Sequence, residues 1–146
     1  MSAELDGTFP RLRLRGYAIT SPRTRDYNCI AWAAGNAQRW WEPDPWGTYF
    51  WPTEQRSLTV GAFEKAFRTL GYEPCDTPDL ERGYEKVALY AKGSEPQHMA
   101  RQLPTGEWTS KCGRLEDITH SLTGLEGDAY GEVVLVMKRP RGDSDW

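Results

Sequence analysis

Residues 38–52, QRWWEPDPWGTYFWP, limit the fold more than any other stretch of this 146-residue chain. Three prolines in these fifteen residues remove backbone donors and bar both a regular helix and a central strand. Four Trp, a Tyr and a Phe in the same stretch are too apolar to be left in water. The segment is therefore read as an irregular aromatic loop that either roofs the core or walls a cleft. In the second case Trp40, Trp41, Trp46 and Trp51 are substrate-binding candidates, offering flat faces to a bound molecule.

The regular elements must lie on either side of this loop. Residues 1–25 place Leu12, Leu14, Tyr17 and Ile19 among basic positions and close in SPRTRD, which predicts an N-terminal arm or edge strand followed by a turn. Asn28 or Asp26 serves as N-cap for a short helix over 29–34, with Gly35 as its stop. Residues 59–70 carry Val60, Phe63, Phe67 and Leu70 at helical spacing, with Thr59 as cap and Gly71 beyond the end. KVALYA at 86–91, HMARQL at 98–103 and EWTSKCG at 107–113 predict three strands, the last two joined through PTG. Leu115, Ile118 and Leu122 predict one face of a short helix, and EVVLVMK at 132–138 predicts a last strand. Helices first and a small antiparallel sheet later give an α+β fold in a single domain over 1–146, with 139–146 as a polar tail.

Charge and cysteine usage remove several function classes. A formal net charge of −3 leaves no Lys/Arg excess to neutralise phosphates, so no nucleic-acid partner is expected, and the basic clusters at 11–15 and 138–141 receive no function. No apolar run approaches the roughly 20 residues that span a bilayer, and the first residues lack the basic and apolar regions of a signal peptide. A cytoplasmic location as made, with no membrane partner, is the expectation. Cys29, Cys75 and Cys112 form no CxxC pair, so neither a disulfide framework nor a four-ligand zinc site follows; no metal and no cofactor are expected.

The stretch YNCIAWA then raises one chemical question, because Cys29 stands where a polar segment turns into an apolar helix. A free cysteine is among the most buried residue types and can serve as a small core hydrophobe. In a helix's first turn, however, unsatisfied N–H groups favour the thiolate and make a nucleophile. A nucleophile needs a base, and the chain has two histidines. His98 heads a hairpin strand whose alternation puts His98, Ala100 and Gln102 on one face, opposite Met99, Arg101 and Leu103. Ser110, Asp117 and Gln102 are the candidates for orienting its imidazole. His120 is read as structural, with a second-histidine role as the alternative, and Cys75 and Cys112 as ordinary thiols.

With Cys at a helix start, then KVALYA, then HMARQL-PTG-EWTSK with His at the head of a hairpin, the chain resembles the papain-like thiol hydrolases, in particular the compact NlpC-type amidase and peptidase group. The likeness covers about residues 26–112. The fuller pattern YNCIAWA, WW, YFWP, GYEPC, KVALYA, HMARQL and WTSKCG also resembles a little-characterised bacterial domain family. The first resemblance implies a papain-like core with the Cys-bearing helix packed on the sheet, Cys29 as nucleophile, His98 as general base, and a third polar group near Ser110, where family members carry His, Asn, Gln or Asp. It implies cysteine-nucleophile hydrolysis of an amide bond in a peptide or amide-containing substrate, or a related acyl transfer. Papain's upstream Gln has no counterpart, so the oxyanion donors would be the Cys29 N–H with Tyr27 or Asn28. The alternative is a non-catalytic binding or regulatory domain, of toxin, immunity or phage-related kind, with a protein partner on the aromatic loop.

Overall fold

The computed structural model describes residues 3–21, 23–24, 26–112 and 116–141. Its spine is β3 (Tyr84–Lys92), whose sequence YEKVALYAK is apolar on both alternating faces. Val87 and Leu89 enter one core, Ala88 and Tyr90 the other, so this strand must be covered on both sides and lie inside the sheet. β4 (Glu95–Gln102) and β7 (Glu132–Pro140) flank it, with Leu89 opposite both Met99 and Leu135. Outward from there lie β5 (Trp108–Lys111), β6 (Asp117–His120) and β1 (Tyr17–Ser21) on one side, and β2 (Glu73–Pro74) on the other, in the order β1-β6-β5-β4-β3-β7-β2 with antiparallel pairings.

Short helices cover both faces of this α+β domain. α1 (Ala3–Thr8) and α2 (Pro10–Arg15) set Leu5, Phe9 and Leu12 on the face that holds Tyr90, Ala100 and Trp108. α3 (Cys29–Ala33) and α4 (Val60–Arg68) cover the opposite face with Ile30, Phe63 and Phe67. Thr59 caps α4 as its sequence predicts, its Oγ1 accepting from the Ala62 N–H at 3.2 Å. Replacing either buried Phe by Ala would cost about 3–5 kcal/mol in lost burial and cavity.

Several sequence expectations are corrected here. The sheet has seven strands where four were foreseen, with an N-terminal edge strand as the alternative to an arm. The residues around Ile118 form β6, not a helix face, because Asp-Ile-Thr-His lies between two strands that supply its hydrogen bonds on both edges; a 3-10 turn at Leu122–Leu125 follows, and Leu115 lies outside the described residues. The N-terminal arm is two helical turns before the edge strand, since Leu5, Phe9 and Leu12 recur at helical spacing and are buried while Leu14 is exposed. The polar tail begins later than position 139: Arg139 and Pro140 belong to β7, and residues 142–146 lie outside the described residues, as do Arg25 and Gly113.

The basic residues of β7 have structural partners. Glu85, buried, receives Arg139 Nε at 2.6 Å and Arg101 Nη2 at 3.1 Å, while Lys138 reaches Glu81 at 2.9 Å. The charge at 138–141 is thus engaged in tying β7 to the strand and loop beside it.

β4 and β5 pair only at Arg101 opposite Thr109 and Gln102 opposite Trp108. Toward His98 and Ser110 no ladder bond joins them, and α3 packs against both strands there. This opening in the ladder places the start of α3 beside the histidine-bearing strand.

Candidate functional site

α3 begins at Cys29 because Asn28 supplies the cap; its Oδ1 accepts the Ala31 N–H at 3.1 Å. This settles the choice between Asn28 and Asp26. Gly35, at φ +84, ends the helix, with its own N–H donating to Trp32 O and the Asn36 N–H to Ala31 O, a double closure that needs a left-handed residue. Five residues of helix are therefore fixed at both ends, with Cys29 in the first turn.

The first-turn position works only in part as its sequence predicts. Burial pushes the Cys29 thiol up to about 11, and outweighs the backbone N–H groups of Met99, Ile30 and Cys29 itself and the charge of Lys111, all of which favour the thiolate. The expected readily ionised Cys29 is replaced by a thiol that is neutral at rest. Cys112, buried, and Cys75, partly exposed, are likewise free.

His98 is buried on β4, its ring stacked on Tyr130 at 4.2 Å and met edge-on by Tyr90. Its Nε2 lies 2.9 Å from Ser110 Oγ, and the same hydroxyl lies 2.7 Å from His120 Nε2. His120 Nδ1 lies 2.7 Å from the Ser121 carbonyl oxygen. The directions of these bonds follow one from another. A carbonyl only accepts, so His120 Nδ1 carries a proton. Burial depresses His120 to about 4 and His98 well below 6.5, the latter with help from His120, so both rings are neutral. His120 Nε2 must then accept from the Ser110 hydroxyl, and Ser110 Oγ must accept from His98 Nε2–H. His98 Nδ1 is left as the unprotonated nitrogen, and it is buried without a hydrogen-bond partner.

The other sequence candidates are distributed unevenly. Asp117 accepts from the Tyr27 hydroxyl and stands opposite Lys111 in the sheet, bonded to neither histidine, so it does not orient His98. Gln102 donates to Pro78 O at 2.9 Å and is also turned away from that task. Burial raises the Asp117 carboxyl above the ordinary 3.8, against the opposing pull of Tyr27, Ser21 and Lys111. Tyr27 stacks on Trp32 at 5.3 Å beneath the helix start. Asn28 Nδ2 donates one of its two N–H groups to Trp41 O at 2.6 Å while its Oδ1 also accepts the Trp41 N–H, so the side chain clamps the aromatic loop.

The aromatic loop itself divides. Trp41 and Trp51 are in the core, Trp46 is 87% exposed, and Trp40 is half-buried. A cleft of about 660 Å³ is lined by Cys29 and His98 together with Trp40, Glu42, Leu58 and Phe63. Of the four tryptophans singled out as substrate contacts, Trp40 alone lines it; Asn28 does so from the helix cap. Sequence reasoning set His120 aside because its strand was read as a helix, although two-residue alternation with Ile118 would have placed both on one face of a strand. It passed over Glu42 because the aromatic count around it dominated. Among the described residues no three His, Cys, Asp or Glu side chains converge as metal ligands, and none of the helices is long and apolar enough to cross a membrane.

A family model described as Domain of unknown function (DUF7689) matches residues 18–138, which includes both histidines, Cys29 and the whole cleft lining. No curated protein and no solved structure matches the chain.

Proposed function

We propose, for a chain that belongs to the DUF7689 family, that the α3–β4–β5 unit is a papain-like core and that the cleft performs cysteine-nucleophile acyl chemistry, hydrolysing an amide or transferring its acyl group. The observation that carries this reading is the directional relay from Ser121 O through His120 and Ser110, which leaves His98 Nδ1 as a bare, buried acceptor on a residue that lines the same cleft as Cys29. A tautomer fixed by neighbouring groups is what a general base requires.

In this scheme a bound carbonyl is attacked by Cys29 Sγ as its proton passes to His98 Nδ1, because neither group is charged at rest. The imidazolium formed keeps Nε2–H on Ser110, whose own proton rests on His120; the relay strengthens as positive charge develops. The N–H groups at the start of α3 that now surround the sulfur are the donors available to the oxyanion. Return of the proton from His98 to the leaving nitrogen gives an acyl-Cys29 thioester, which water or an acceptor amine then resolves. The amide substrate is the one partner this requires; no cofactor enters.

A second reading, a non-catalytic binding domain on the same fold, is favoured by one observation: burial holds Cys29 and His98 uncharged, and no hydrogen bond joins sulfur to imidazole in the free chain. Intact-mass analysis after mixing with aryl thioesters and p-nitrophenyl esters separates the two. Acyl enzyme that accumulates on Cys29 and disappears in Cys29→Ser supports the hydrolase. Acylation confined to lysines, unchanged in Cys29→Ser, supports the binding domain.

A further inference from the structure

The charged groups that line the cleft do not balance. Asp44 is committed: its carboxylate accepts the Thr48 N–H at 2.8 Å, the Tyr49 N–H at 3.1 Å and Arg56 Nη1 at 3.1 Å. Arg56 is committed to the same corner, donating also to the carbonyl oxygens of Asp44 and Tyr49 at 3.1 Å each. These two charges cancel and hold the loop. Glu42 has no such partner. Its carboxylate is half-buried in the cleft wall and makes only a 3.5 Å approach from Trp40 Nε1. One carboxylate beside one indole is left without a counterion among the described residues.

A half-buried carboxylate in low-dielectric surroundings attracts a cation more strongly than one in bulk water, and an indole adds attraction through its π face. We propose that the cleft is built for a cationic substrate: an amide whose acyl part carries a lysine-like or arginine-like side chain or a free amino group, received between Glu42 and Trp40 while the carbonyl lies at Cys29. This rests on the reading of Cys29 as the reacting group and names the substrate class for it. A basic peptide fits these requirements. A neutral or acidic one would leave Glu42 desolvated and unpaired, or meet it with like charge.

The test uses methanethiosulfonate reagents of one reactivity and three charges: trimethylammonioethyl, methyl and sulfonatoethyl. Each is attacked by the Cys29 thiolate at its sulfenyl sulfur, forming a mixed disulfide and releasing methanesulfinate, so no added oxidant is needed. Rates are read by peptide mass in the full chain carrying Cys75→Ser, with Cys112 buried. Lys111 lies close enough to Cys29 to influence it and favours the anionic reagent, so the quantity compared is the cationic-to-anionic rate ratio before and after Glu42→Gln. The expected result is a fall of about tenfold in that ratio in Glu42→Gln, reversal toward the anion in Glu42→Lys, and an unchanged rate with the methyl reagent. An unchanged ratio in both variants overturns the proposal. Failure of the hydrolase reading shows separately, as a methyl-reagent rate indifferent to His98→Ala while the charge ratio still responds to Glu42.

Discussion

Ser110 Oγ lies 2.7 Å from His120 Nε2, and that contact decides which nitrogen of His98 bears a proton. With its hydroxyl proton given to His120, Ser110 can only accept from His98. In His120→Leu the serine is released to donate to His98 Nε2, and the proton of His98 moves to Nδ1, the nitrogen that should be bare. Nitrogen-15 shifts of the His98 ring are expected to report the Nε2–H form in the native chain and the Nδ1–H form in His120→Leu. Ser110→Ala strands a buried nitrogen on each ring and is expected to cost about 1–3 kcal/mol in denaturant unfolding.

Acid should unfold the domain over a defined window. His120 has a folded pKa of about 4 against 6.5 for the unfolded side chain, so between these values the unfolded chain binds a proton that the folded chain does not. Stability therefore falls as pH is lowered from 6.5 to 4, by about 3 kcal/mol from His120, with His98 adding in the same direction. Asp117, raised above 3.8, acts oppositely: its contribution is greatest below 3.8 and is lost as pH rises through its folded value. Above neutrality Cys29, at about 11 folded against 9.0, makes stability fall from pH 9 toward 11. Urea midpoints measured across pH should show the acid slope shrink in His120→Leu.

Asn28 joins two features that are otherwise independent, the start of α3 and the aromatic loop. Asn28→Ala removes the cap to Ala31 and leaves both backbone polar groups of Trp41 without their partner, for an expected loss of about 2–4 kcal/mol. Asn28→Asp keeps the acceptor but loses the donor to Trp41 O, and should fall between the two in thermal unfolding.

The Glu85 carboxylate is a different kind of hub. It is buried and faces Arg101 and Arg139, with Arg141 at 3.6 Å, so Glu85→Ala leaves several cations uncompensated and is expected to cost about 3–5 kcal/mol. Glu64→Ala, which breaks an exposed i,i+4 pair with Arg68, should change stability little. Comparing the two variants in one unfolding series separates a buried ion network from surface charge.

The central strand, the α4 helix and the cap of α3 were legible because each rests on local pattern: continuous apolar alternation in KVALYA, four-residue spacing from Phe63 to Phe67, a capping side chain at Asn28. The fold class followed from their order. β6 and the two N-terminal helical turns were not legible, since a four-residue strand and two six-residue helices take their identity from the sheet and core they join. In the site, Cys29 came from its place at a helix start, and His98 and Ser110 from hairpin geometry. The part of His120 depended on a pairing between β5 and β6 that no local pattern carries, and the expected ready ionisation of Cys29 failed because helix-end N–H groups are visible in sequence whereas the burial that outweighs them is not.

The relay and the cleft make one claim together, that His98 takes the proton of Cys29 as Cys29 reacts. The pH dependence of Cys29 alkylation by iodoacetamide, an uncharged reagent, tests it most directly. A base that remains unprotonated above pH 6.5, beside a thiol that ionises only near 11, predicts a rate plateau between pH 6.5 and 9 in the native chain. In His98→Ala the plateau should vanish, leaving a rate that climbs about tenfold per pH unit as free thiolate forms. The same tenfold climb in native protein and His98→Ala, with no plateau in either, would contradict the account.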